Sequence, residues 1–223
     1  MACAGSASGK GDTAHLAYDY RHYSGRDWQF FEPVFARMRP APPVLDVGSG
    51  LGLFLDCSKR HRTPAVGIES SKEGVEECAR KGLPVVRGDI TIPFPFKDAV
   101  YGSALVHHVL EHISLEKERF VLKEIFRVLR DGGFVMVVSP NVFDPDATVD
   151  PDHINLFSPH QLKKELRDAG FSKISLATNY WRPIQRPSAK PSRLGGLLSG
   201  VLWKVLPLDR FAGSSSAIAW KNG

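Results

Sequence analysis

The side chains of this sequence whose spacing suits chemistry are three carboxylates and a group of imidazoles. Asp46 stands two residues before the first of three alternate glycines, in Val44-Leu45-Asp46-Val47-Gly48-Ser49-Gly50-Leu51-Gly52-Leu53-Phe54. Glu69 closes the apolar run Ala65-Val66-Gly67-Ile68, 21 residues after Gly48. Asp89 follows Val85-Val86-Arg87-Gly88. Glycines this dense let a backbone bend sharply and approach a ligand with no Cβ in the way. An acid just before such a bend repels a pyrophosphate and suits a cation. Among the histidines, His107, His108 and His153 are candidate bases, because an imidazole titrates near neutral pH. The letters His108-Val109-Leu110-Glu111-His112 also carry a second chemistry. On a helix, H-x-x-E-H puts two imidazoles at i and i+4 on one face, the ligand pattern of one metallopeptidase class. That class needs a third ligand and a cleft of its own, and a glycine loop with β/α alternation does not belong with it.

The elements that must hold these residues alternate. Val44–Val47 reads as a strand, Phe54–His61 as a helix, Ala65–Glu69 as a strand, and Lys72–Lys81 as a helix that Ser70 or Ser71 caps and Gly82 stops. Val85–Ile90 reads as a third strand and Ala99–Val106 as a fourth. Leu115–Arg130 has apolar positions at helical spacing, with Asp131-Gly132-Gly133 ending it before a strand at Phe134–Ser139. The stretch 140–158 is long and acidic, with Asp144, Asp146, Asp150 and Asp152 before His153. Long loops at strand ends usually build substrate pockets. Ser158 caps a helix from Pro159 to Ala169. Strands at Phe171–Thr178 and Ser214–Lys221 complete an α/β doubly wound sheet, in which ligands bind at the strands' carboxyl ends.

A dinucleotide loop reads G-x-G-x-x-G/A and needs a small residue at position 53, where this chain has Leu. The pattern present, D-x-G-x-G-x-G, instead resembles motif I of the class I S-adenosylmethionine (SAM)-dependent methyltransferases. The resemblance runs over residues 40–178 and rests also on Leu129-Arg130-x-Gly-Gly before a strand and on HVLEH after the fourth. The segment H-x-x-x-F-S-P from His153 resembles enzymes acting on quinone precursors, sugars and natural products. The resemblance implies a Rossmann-like, seven-stranded sheet, mostly parallel with an antiparallel last strand and helices on both faces. It implies SAM as cofactor, held by Asp46, Gly48, Ser49, Gly50 and Gly52, with Glu69 on the ribose and Ser70 beside it. Asp89 is expected at the adenine amino group, Ile90 against the ring, and Tyr23, from an aromatic N-terminal helix, over the cofactor. It also implies that HVLEH starts a helix beside the methyl-transfer site. For a hydroxyl acceptor the candidate bases rank His153, then His108, then His107, with no metal. His112 reads as structural.

Charge and composition set the remaining expectations. The formal net charge is +5, and six basic residues against Asp209 between Arg182 and Arg210 account for all of it. The rest is balanced, which argues against a nucleic-acid surface. The N–P–P–Y tetrad of amino-methylating enzymes is absent after the fourth strand. We expect a disordered tail at 1–14 and a single domain over 15–223, with a helical cap at 15–38 and an insert at 180–210. The apolar Leu194–Leu206 could cover an apolar substrate, a dimer partner or a membrane surface. Three cysteines without metal or disulfide spacing, and an N-terminus without an apolar core, suggest a cytoplasmic protein. The expected acceptor is a small molecule, a sugar or a lipid-linked precursor. A non-catalytic SAM-binding partner subunit is the competing reading, and a zinc hydrolase the third.

Overall fold

The computed structural model describes residues 25–178, 201, 202, 205 and 208–223. Tyr23, the first part of the expected cap and most of the 180–210 insert lie outside them. A 3-10 turn at Trp28–Phe31 leads into α1 (Glu32–Met38). Then follow β1 (Val44–Val47), α2 (Leu53–Arg60), β2 (Ala65–Glu69), α3 (Lys72–Arg80), β3 (Val85–Arg87) and β4 (Tyr101–His107). A 3-10 turn at Leu110–His112 precedes α4 (Leu115–Val128) and β5 (Leu129–Pro140). The short α5 (Pro145–Thr148), α6 (Pro159–Asp168), β6 (Lys173–Ala177) and β7 (Ser214–Trp220) complete the order.

The seven strands run β3-β2-β1-β4-β5-β7-β6. The first five are parallel, and β7 slots antiparallel between β5 and β6. This is the expected architecture. The order reverses between β1 and β4, so the ends of those two strands flank the crevice where such sheets take ligands. β1 is buried throughout, and so is β4 up to Val106, as parallel strands covered by helices on both faces must be. Leu45, Val47, Ile68, Ala104, Val106, Val135 and Val137 pack with Val121, Leu122 and Ile125 of α4 to form the larger core.

Several boundaries depart from the sequence reading. Ser71 alone caps α3, its Oγ accepting from Gly74 N–H at 3.0 Å. β3 stops at Arg87, leaving Asp89 in the turn beyond it. α4 stops at Val128, because Leu129 already pairs with Tyr101 across the sheet. Lys221 Nζ donates to the carbonyls of Phe126 and Leu129, closing the helix end that the glycines were expected to close. The HVLEH stretch is not the start of a helix. His108 adopts φ 56° and Leu110–His112 is one 3-10 turn, so His108 and His112 do not share a helix face. The metallopeptidase arrangement is therefore not formed. Of the apolar 194–206 segment, the helical positions Val201 and Val205 are exposed, and Leu202 packs with Leu176, Phe211 and Ala212.

Candidate active site

The donor half of the crevice is built by the turn from β1 into α2. Gly48, Gly50 and Gly52 have φ of 71°, 52° and 73°, a region open to glycine at little cost. Two of them also meet close neighbours. A Cβ on Gly48 would lie 2.6 Å from Val109 Cγ2, and one on Gly52 would lie 2.7 Å from Cys78 Sγ. The first contact shows that the glycine turn touches the turn after β4. Amides of Gly48 and Ser49 both donate to the Ile68 carbonyl. Glu69 holds the rest: Oε2 accepts from Gly50 N–H and Oε1 from Ser71 N–H, each at 2.8 Å. One carboxylate thus fixes the glycine turn and the start of α3, and each oxygen retains a second lone pair for a ribose hydroxyl.

Asp46 and Glu69 are both buried. Burial, and then the Glu69 charge, push the Asp46 carboxyl up to about 8. Two buried acids with no ion-pair partner among the described residues form a site that a cation relieves. Ser49 adds a buried hydroxyl with no hydrogen-bond partner among the described residues. These features fit a positively charged adenosyl ligand. Other expected contacts fit less closely. Asp89 is exposed, and its Oδ1 accepts from Thr91 N–H at 2.7 Å, an Asx turn rather than a strand-end acid. Ile90 is 9% exposed and packs into the larger core, leaving little surface for an adenine ring. Ser70 is half-buried between Glu69 and the cap residue Ser71.

The acceptor half gathers residues from three segments. His107 ends β4 with its ring 4.9 Å from the Phe31 ring, and its Nδ1 is buried without a partner among the described residues. Burial, then the His108 charge, drive its pKa well below 6.5. Its ring packs edge-on against Phe30 and Phe31 of the 28–31 turn. His108 is different. Its Nδ1 lies 2.9 Å from Oε1 of Glu111, and Oε2 of Glu111 accepts from Ser139 Oγ at 3.0 Å. Glu111 is fully buried. Burial raises its pKa, but the hydrogen bond from His108 and the charges of His108 and His112 outweigh that and hold it below the usual range. The His108 side chain remains 36% exposed.

His153 sits on the loop after β5, as expected, but its Nδ1 donates to the Ala147 carbonyl at 2.8 Å. The loop is fastened to the turn after β4 by Ile154 and Asn155 N–H, both donating to the Glu111 carbonyl. His112 Nδ1 lies 3.0 Å from the Asp152 carbonyl, in keeping with its structural reading. Glu111 and Ser139 were missed as site residues in the sequence. The signal was the His-x-x-Glu spacing itself, which serves a turn as well as a helix.

Comparison with known proteins agrees with this geometry. Residues 45–137 match the family described as "Methyltransferase domain". A Mycobacterium tuberculosis protein described as a "Probable S-adenosylmethionine-dependent methyltransferase" is 27% identical over 162 residues, 69% of this chain and 58% of that protein. An Arabidopsis thaliana tRNA (carboxymethyluridine(34)-5-O)-methyltransferase is 28% identical over 132 residues, 55% of this chain and 31% of that one. The chain thus spans less than two thirds of the length of these relatives. The crystal structure of a SAM-dependent methyltransferase from Archaeoglobus fulgidus superposes with a TM-score of 0.64, at 22% identity, over 85% of this chain and 94% of that one. Sheet order and glycine turn are of the kind found in class I SAM-dependent methyltransferases, and residues 45–137 are similar to their methyltransferase domain. SAM is the cofactor of that domain. No helix among the described residues is long and apolar enough to cross a membrane.

Proposed function

We propose that this chain methylates an oxygen of a small-molecule, sugar or lipid-linked acceptor, with His108 as the base and Glu111 as the residue that positions it. The carrying observation is the chain Ser139–Glu111–His108 at the mouth of the crevice, two residues beyond the last strand position paired with β1. SAM, when bound, supplies a methyl group activated by its sulfonium. Asp46 and Glu69 set negative charge under that half of the crevice, and the glycine turn gives the cofactor close access to backbone. An ionised Glu111 can only accept, so the proton between it and His108 sits on Nδ1 and the lone pair on Nε2. Nε2 then takes the acceptor hydroxyl's proton as that oxygen becomes the methyl ether, and passes it to solvent. The same logic orients histidine bases on unrelated folds. His108 is preferred to His153, ranked first from sequence, because its Nδ1 bonds a buried carboxylate that stabilises an imidazolium, whereas His153 Nδ1 bonds a neutral main-chain carbonyl. The domain layout of 15–223, with the 180–210 insert as an acceptor cover, belongs to the same reading. Balanced charge outside that insert favours a small acceptor over the tRNA of the Arabidopsis relative.

The test is turnover with candidate hydroxyl acceptors for the wild type and His108→Ala. We expect kcat to fall by roughly 100-fold or more in the variant, within the range of general-base contributions, with partial recovery on adding imidazole. SAH affinity should not change. Undiminished kcat in His108→Ala sinks the base assignment. SAM binding without methylation of any acceptor favours the non-catalytic partner subunit.

A further inference from the structure

Away from the acceptor side, α1 and α2 bring together three side chains that neither the cofactor nor the proposed base uses. Glu32 is the first residue of α1. Cys57 lies on α2, and His61 caps the end of that helix, its N–H donating to the Cys57 carbonyl. Four residues apart on one helical course, the sulfur and the imidazole share a face. One carboxylate oxygen, one sulfur and one ring nitrogen of these residues lie within 4.8 Å of one another. They converge on a single atom: Oε1 of Glu32 lies 2.8 Å from His61 Nε2 and 3.9 Å from Cys57 Sγ. Cys-x-x-x-His with a carboxylate from another helix is a pattern that counting cysteines alone does not show.

The packing around the three is firm. Phe35, three residues after Glu32, stacks on the His61 ring with centroids 4.3 Å apart. Phe31 and Phe35 both meet Phe54 of α2, in the core cluster that buries Cys57. The neighbouring cation, Arg60, is engaged by Asp56 and by the Trp28 ring. Burial, then the Glu32 charge, push the Cys57 thiol up to about 12. The sulfur thus faces negative charge, and a bound metal ion reverses that balance by deprotonating a coordinating thiol outright. A thiolate and a carboxylate then carry two negative charges against the two positive charges of the ion. His61 Nδ1 has no partner among the described residues, so the ring hydrogen can sit there and leave the Nε2 lone pair to the ion. Tetrahedral zinc sets a nitrogen and an oxygen ligand roughly 3.4 Å apart and a sulfur and an oxygen roughly 3.6 Å apart. The separations of 2.8 and 3.9 Å fall on either side of these, so small side-chain shifts complete the set.

We infer that Glu32, Cys57 and His61 form a site for one thiophilic divalent metal ion, with Zn²⁺ the class of ion that this sulfur, nitrogen and oxygen set takes. On binding, the S–H bond of Cys57 breaks, its proton passes to solvent and a sulfur–metal bond forms, with no change of oxidation state. The Glu32 and His61 side chains are 37% and 41% exposed, so the ion enters between them and keeps water in its fourth position. The ion fastens α1, and with it the 28–31 turn, to the helix that starts at the glycine turn. This site stands apart from the proposed methyl transfer and does not rest on it.

The experiment titrates the reduced full chain with Co²⁺, followed by the sulfur-to-cobalt charge-transfer band in the near ultraviolet, and with Zn²⁺ by calorimetry. We expect one equivalent to bind, the band to appear, and Zn²⁺ to raise the melting temperature, because the ion favours the folded state. Cys57→Ser and Cys57→Ala should abolish the band. Glu32→Gln and His61→Gln, the second of which keeps a donor for Glu32, should each weaken Zn²⁺ binding at least tenfold. Circular dichroism and SAH affinity without metal should match the wild type in all four, which separates a lost ligand from a lost fold. Cys3→Ser and Cys78→Ser should keep the band. Absence of Co²⁺ and Zn²⁺ binding overturns the inference and leaves the three residues as a hydrogen-bonded contact between α1 and α2. So does a band that survives both substitutions at Cys57, or one lost with Cys3 or Cys78. An ion bound as expected, in a protein that methylates nothing, counts against the proposed function and not against this site.

Discussion

The two halves of the crevice are built on opposite plans. The donor half is local: its turn lies between Val47 and Leu53, and its acids sit at the ends of adjacent strands. Its binding chemistry is stored in two buried acids, Glu69 held by the amides of Gly50 and Ser71, and Asp46 pushed toward its neutral form by burial and the Glu69 charge. The acceptor half is assembled from the end of β4, the strand β5 and the loop behind it. Its acid, Glu111, is already neutralised in effect by His108 and Ser139. The donor half waits for a cation, whereas the acceptor half is finished before any ligand arrives. Removing one acid should therefore weaken cofactor binding in the first half and disable chemistry, with binding intact, in the second.

The largest effect is expected at Glu111. In Glu111→Gln the amide can donate to His108 Nδ1, which moves the imidazole hydrogen to Nε2 and removes the lone pair that faces the acceptor. The comparable change in a serine-protease triad costs about 10⁴ in kcat. We expect a fall of roughly 10³, with SAH affinity unchanged within twofold. A Glu111→Gln enzyme with near-normal kcat would show that His108 is not held for catalysis.

Next in size is Asp46→Asn, in which SAM affinity should drop by roughly 100-fold by calorimetry, since the variant has no second carboxyl that can ionise as the sulfonium cation binds. The wild type should also show a pH dependence that the variant lacks. Because the free carboxyl has its pKa raised to about 8, it is protonated at neutral pH and must release that proton when a cation binds. Affinity should therefore rise with pH up to about 8 and then level off. The sign for the cofactor-free protein is the reverse. A raised pKa means that the folded state binds more protons, so stability is lost as pH rises through about 8. Asp46→Asn should unfold at a higher temperature than wild type at pH 9 while binding SAM worse. A pH-independent affinity in the wild type would show that the acid pair is not poised in this way.

The contrast between the halves also explains what could be read in advance. Alternate glycines after an apolar run with an acid inside it are a covalent neighbourhood, so Asp46, Gly48 and Glu69 were legible from spacing alone. The alternation of apolar runs with helical periodicity pointed to a doubly wound sheet, while the antiparallel last strand was implied only by the family resemblance and the strand order came from the structure. The acceptor half was legible only as a list of histidines. His108 was ranked below His153 because sequence shows which residue lies on a loop but not where its nitrogens go. His153 has its Nδ1 on the neutral Ala147 carbonyl, while His108 has its own on the Glu111 carboxylate. Glu111 was read as a letter in a helical metal motif, whereas His108, at a left-handed φ, lies outside any helix and its ring bonds the Glu111 carboxylate across a turn. Asp89 was placed at a strand end, but the strand stops at Arg87, three residues before the expected Ile90, and Asp89 sits in an Asx turn.

The smallest effect expected comes from a third buried acid, which belongs to neither plan. Glu118 of α4 is fully buried and accepts from Asn155 Nδ2 at 2.5 Å, bracing the loop that carries His153. Its other oxygen has no partner among the described residues. Burial pushes its pKa up to about 7, with the Glu165 charge adding to the rise and the Asn155 bond opposing it. Asp46 has a ligand to relieve it and Glu111 has its histidine, but Glu118 has only a neutral amide. Its ionised form is therefore a cost to the fold. A raised pKa places that cost on the alkaline side: stability is full below the ordinary glutamate range and is lost as pH rises through about 7. Glu118→Gln keeps an oxygen for Asn155 and removes the charge. It should leave the melting temperature near that of wild type at pH 5 and raise it at pH 8 by a few degrees, the size of shift that about 1 kcal/mol gives a chain of this length. If the variant instead melts lower at pH 8, the charge on Glu118 contributes to holding the loop, and the acceptor half depends on a buried ion as the donor half does.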